Sequence, residues 1–97
     1  MPKSTATVST AHASRYLQQL CKHWAHRFET EWTPTNGRIA LPLGQTVLAA
    51  SDDALAIEIA APKGDDLDGL RTVVQTHVER FAFRETLHFA WRDEDAA

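Results

Sequence analysis

The chain has 97 residues, 43% hydrophobic and 24% charged, which gives enough apolar content for one core and too little length for two. Its single cysteine excludes an internal disulfide framework and a cysteine-rich zinc site, and a net charge of −3 argues against non-specific nucleic-acid binding. No apolar run approaches the ~20 residues of a membrane helix and the first residues lack the apolar centre of a signal peptide, so the cytosol is the expected compartment, without membrane or nucleic-acid partners.

Taken in chain order, residues 4–10 alternate with a period of two, placing Ala6, Val8 and Thr10 on one face of a short strand. The period then changes. Over residues 11–28, Ala13, Tyr16, Leu17, Leu20, Trp24 and Phe28 recur at three- and four-residue steps and form one stripe of an amphipathic helix, with Thr10 as its N-cap. Residues 29–33 read as a strand ending at Pro34-Thr35-Asn36-Gly37, where Asn-Gly suits a hairpin turn with positive φ. Residues 38–43 alternate through Ile39, Leu41 and Leu43, with Pro42 marking an edge strand or an early strand end. Gly44-Gln45 is a turn candidate, 46–50 a weaker strand and 51–53 a turn, and 54–60 alternates through Leu55, Ile57 and Ile59. Pro62-Lys63-Gly64 breaks the chain, Asp65 or Asp66 can cap a second helix, and Leu67, Leu70, Val74, Val78 and Phe81 are its stripe through about residue 82. Residues 86–92 read as a last strand with Leu87, Phe89 and Trp91 facing inward, and 93–97 as a mobile acidic tail. The expectation is a single α+β domain over 1–97. Its order is β-α-β-β-β-β-α-β, with a mainly antiparallel sheet and both helices on one face.

No catalytic motif is present: the four glycines form neither a phosphate-binding loop nor a dinucleotide fingerprint. His23 and His26, three apart on the first helix, are surface neighbours that can share a metal ion. A third ligand is lacking on that helix, because Cys21 lies about 160° round from His23 and His12 lies roughly 16 Å along the axis. Two histidines on a polar helix face are ordinarily just solvated. The same face carries His12, Arg15, Gln19 and Lys22, and residues 1–28 hold four basic side chains and no acid, against a net −7 in the remainder. That face suits an anionic ligand or an acidic protein, although any amphipathic helix must present some polar face. Cys21, at the edge of the stripe, reads as a small buried hydrophobe rather than a nucleophile. His77 lies within the second stripe and reads as a structural core histidine bonded to a backbone carbonyl or a carboxylate. Glu58, His88 and Arg92 fall on the sheet face away from the helices, which is either solvated or a surface for self-association.

The stretch Thr10-Ala-His-Ala-Ser-Arg-Tyr-Leu-Gln-Gln-Leu-Cys-Lys-His-Trp-Ala-His-Arg-Phe28 resembles the N-terminal signature of the bacterial DUF2218 family, and His77-Val-Glu-Arg-Phe-Ala-Phe-Arg-Glu85 resembles its C-terminal one. Gly37-Arg-Ile and Leu55-Ala-Ile-Glu-Ile are similar as well, so the resemblance spans nearly the whole chain. It implies a small bacterial protein of a family without an established activity or catalytic residues. Related domains are attached to siderophore-interacting, flavin-binding proteins, which implies iron metabolism by association.

The expected function is a small accessory or binding domain, without a cofactor, contacting its partner through His12, Arg15, Gln19, Lys22, His23 and His26 and able to self-associate as a homodimer. One alternative is a metal- or iron-linked protein using His23 and His26. A second is a small enzyme with a pocket around His77 or Cys21.

Overall fold

Val8, Ile39, Leu55, Ile57 and Ile59 each stand between polar or small neighbours, and that period of two builds strands with one apolar side. The computed structural model describes residues 2–94, with Glu94 as backbone only. In chain order it contains strand β1 (Lys3–Ser9), helix α1 (Ala13–Trp24), β2 (Thr30–Trp32), β3 (Asn36–Leu41), β4 (Gly44–Ala50), β5 (Ala54–Ala60), helix α2 (Leu67–Phe81) and β6 (Arg92–Glu94). A 3₁₀ turn (Gly64–Asp66) leads into α2. The fold is α+β in the expected order. Its six strands form one sheet, β2-β3-β4-β5-β1-β6, with every neighbouring pair antiparallel.

Both helices lie on the same side of that sheet. Tyr16, Leu17, Leu20 and Trp24 from α1 and Leu70, Val74 and Val78 from α2 join the inward strand residues in one buried cluster. The other side of the sheet is uncovered, with Thr7, Arg38, Gln45, Val47, Ala49 and Ala56 exposed. Among the described residues no helix is long and apolar enough to cross a membrane.

Several boundaries differ from the sequence reading. Helix α1 starts at Ala13 with no side-chain cap, and Thr10 instead accepts the His12 N–H at 3.1 Å and donates to Glu85 at 3.0 Å. The helix ends at Trp24 rather than Phe28: the chain tightens there, with the Arg27 N–H making an i→i+3 bond to the Trp24 carbonyl, which also receives the Phe28 N–H. Asp66 stands at the N-cap of α2 without a side-chain bond.

The β2–β3 turn falls on Pro34-Thr35, not Asn-Gly. Trp32 pairs with Gly37, Thr33 donates its N–H to the Asn36 carbonyl at 2.7 Å, and no described residue has positive φ. Pro34 fixes its own φ at a turn value, so the turn needs no left-handed residue. Gly37 is required for another reason. A Cβ there would stand 2.8 Å from Cys21 Sγ, so the missing side chain lets α1 lie close on β3. Likewise Gly44 opens β4, a Cβ on it would strike the Ala60 carbonyl oxygen at 2.1 Å, and the turn before it is Pro42-Leu43.

Residues 86–91 are not a strand. Leu87 is buried and Phe89 and Trp91 pack on the core as the alternation implied, but the segment is held by α2, with Trp91 Nε1 donating to Gln75 at 2.8 Å. Only Arg92–Glu94 pairs with β1, so Asp93 and Glu94 belong to the sheet rather than to a tail. Residues 95–97 lie outside the described residues.

Candidate functional site

A groove of about 600 Å³ opens where the end of α1, the middle of α2 and the β3–β4 turn converge. Ending α1 at Trp24 makes this groove. His26, Arg27 and Phe28, in the turn that follows the helix, form one wall. Leu41, Pro42 and Leu43 supply the opposite wall. The floor is Trp24 with Leu70, Val73 and His77 of α2.

The imidazole of His77 is half-buried in that floor. Its Nδ1 lies 2.7 Å from the Val73 carbonyl, which can only accept, so Nδ1 carries the proton and Nε2 of the neutral ring remains an acceptor. The ring is flanked by Trp24 at 4.8 Å and by His23 at 5.2 Å between centroids. His23 also meets Phe81 edge-on at 6.0 Å. His77 is therefore bonded to a backbone carbonyl as expected, but it faces a groove rather than lying wholly in the core. Among the described residues no carboxylate lines the groove, and Arg27, His23, His26 and His77 are its ionisable groups.

A second cleft of about 540 Å³ lies nearer the start of α1. Its floor is a network in which the Tyr16 hydroxyl and Thr10 Oγ1 both donate to Glu85 Oε2. The Tyr16 hydrogen bond holds the Glu85 carboxyl below its usual range, with Thr10 and the nearby His12 acting the same way against a smaller desolvation effect. Burial, then the Glu85 contact, pushes the Tyr16 phenol up. His12, Arg15, Gln19, Arg84 and the 77% exposed Phe83 stand around this network.

The six-residue surface expected on α1 is thus divided. His12, Arg15 and Gln19 belong to the second cleft, His23 and His26 to the groove, and exposed Lys22 lines neither. Phe81, half-buried beside His23, separates them. His23 and His26 are not successive positions of one helix face, because His26 lies beyond the helix end. Among the described residues no three His, Cys, Asp or Glu side chains gather as a metal centre would require. Cys21 is fully buried under Gly37, and burial pushes its thiol up to about 11, so it presents no nucleophile to either cleft. Sequence reasoning missed Glu85 and Phe83. Phe83 was detectable as an apolar residue off the stripe of α2, whereas Glu85 becomes meaningful only once the chain folds back 69 residues to Tyr16.

Comparison with known proteins decides the family. A model described as "Uncharacterized protein conserved in bacteria (DUF2218)" matches residues 5–92. The chain belongs to the DUF2218 family. Its fold is similar to the NMR structure of PA4090 from Pseudomonas aeruginosa, with a TM-score of 0.80 and 39% identity, covering 95% of this chain and 96% of that one. No curated protein matches the chain. DUF2218 itself carries no assigned activity, so any function must be argued from the site.

Proposed function

We propose that this DUF2218 protein is a small binding domain whose groove takes a flat, largely apolar molecule bearing an anionic group. The composition of the groove supports this reading: aromatic and aliphatic walls from Trp24, Phe28, Leu43 and Leu70, ionisable groups that are all potential cations, and no acid to repel a carboxylate or sulfonate. Its volume of about 600 Å³ suits a drug-sized molecule. The apolar body lies on Trp24 and His77, and the anion is met by the Arg27 guanidinium and the imidazole of His23 or His26. A cytosolic setting accords with the unpaired, fully buried Cys21.

Anilinonaphthalene sulfonate, an aromatic anion, and its uncharged analogue N-phenylnaphthylamine are suitable probes. Fluorescence titration is expected to show saturable binding of the sulfonate and weaker binding of the neutral compound. Arg27→Ala should weaken the sulfonate by about 5–50-fold, as loss of one charge-assisted contact implies. Val73→Phe, which fills the groove from α2, should weaken both. Equal binding of both probes by wild type and Arg27→Ala would refute the anion site, and binding unaffected by Val73→Phe would refute the groove.

A further inference from the structure

The uncovered face of the sheet carries a row of side chains fixed by strand register. Arg38 on β3 lies opposite Val47 on β4, and Val47 lies opposite Glu58 on β5. Across β4 the row reads positive, apolar, negative. Val47 is 39% exposed and, among the described residues, the only exposed large apolar side chain in the sheet. Arg38 makes no ion pair among the described residues, while Glu58, its side chain 46% exposed, uses Oε1 to receive Lys3 Nζ at 3.5 Å.

This order is self-complementary under one symmetry operation. A two-fold axis lying in the plane of the face, along β4, carries β3 of one copy over β5 of another. Arg38 of each copy then meets Glu58 of the other, and Val47 meets its equivalent at the centre. The neighbouring rows are compatible. Ala40, Gln45 and Ala60 share one row, and Asn36, Ala49 and Ala56 share the other. The same operation sets Ala40 over Ala60, Asn36 over Ala56 and Ala49 over its equivalent, so Gln45, which meets its own equivalent on the axis and can pair with it amide to amide, is the one long side chain in these two rows across β3, β4 and β5. Aligned sheets pack about 30° from parallel, which displaces a strand about 5 Å from the axis by only about 2.5 Å, within reach of an arginine and a glutamate.

We infer that two copies of the chain associate face to face through this sheet surface, with two Arg38–Glu58 pairs flanking a Val47 contact. A symmetric dimer interface uses one patch twice, so self-complementary charge is what such an interface requires. Four strands of six or seven residues offer roughly 450 Å² per copy, the size of weak, transient interfaces, so the dimer is expected to form only as protein concentration rises. The groove and the second cleft both lie on the helix side and stay open, so this inference is independent of the ligand reading.

Sedimentation velocity from micromolar to sub-millimolar protein tests it, with circular dichroism confirming that each variant is folded. Wild type should show a monomer–dimer equilibrium. Arg38→Glu and Glu58→Arg should each raise its Kd by at least about 10-fold, because each substitution sets like charges opposite at two places. Mixing the two single variants, or combining both in one chain, restores opposite charges at both places and should restore the dimer. A wild-type protein that stays monomeric throughout would overturn the inference. So would a dimer indifferent to the single variants, or one lost in the singles and not regained in the mixture.

Discussion

Tyr16 and Thr10 aim two hydroxyls at one oxygen of Glu85, and this contact ties the start of α1 to the segment leaving α2. Because the hydrogen bonds favour the ionised carboxylate, the folded-state pKa of Glu85 lies below its ordinary 4.5. The unfolded chain therefore takes up the proton first on acidification. The stabilisation is complete above 4.5 and is lost as pH falls through the lowered value. Tyr16 behaves as the mirror case: its phenol is raised above 10.0, so stability declines as pH rises past that point. Urea unfolding of wild type and Tyr16→Phe at about pH 7, 5 and 3 checks the acid limb. Wild type should lose more stability than Tyr16→Phe between the two lower values; equal losses would mean the hydrogen bond does not set the Glu85 carboxyl.

At the scale of elements, α1 and β3 approach closely where Gly37 faces Cys21 and Leu17. Gly37→Ala places a methyl 2.8 Å from Cys21 Sγ and 3.3 Å from a Leu17 methyl, and should cost about 1–3 kcal/mol through overpacking. In a double-mutant cycle, Cys21→Ala should recover about 1 kcal/mol of that cost; strictly additive losses would show that Gly37 is required for some other reason. The same glycine shows where the sequence misleads. Asn-Gly carries a strong local preference for a turn, but the register is set by Ile39, Leu41 and their partners needing the core, and a preceding proline can make the turn without it. Residues 86–91 mislead in the opposite way. Their alternation correctly puts Leu87, Phe89 and Trp91 inward, but alternation reports which side is buried and not whether a neighbouring strand is there to pair with. The helix stripes were legible because each repeats over three turns or more. The groove was not, since it depends on α1 stopping four residues early and on the Pro42-Leu43 turn reaching across to α2.

Seen as a whole, the molecule has two unlike sides. The helix side holds both clefts and carries Arg15, Lys22 and Arg27 from the acid-free first 28 positions, while the sheet side, with Lys3, carries mixed charges in fixed register. As proposed, ligand capture on one side and self-association on the other would not compete for surface. Mapping the bound position of anilinonaphthalene sulfonate by ¹H–¹⁵N chemical-shift changes tests the ligand side directly. The account predicts the largest shifts in residues 23–28, the flanks of the Pro42-Leu43 turn and residues 70–77, with β1 and β5 unmoved. Shifts centred on Arg15, Phe83 and Glu85, or spread along the open face of the sheet, would contradict it.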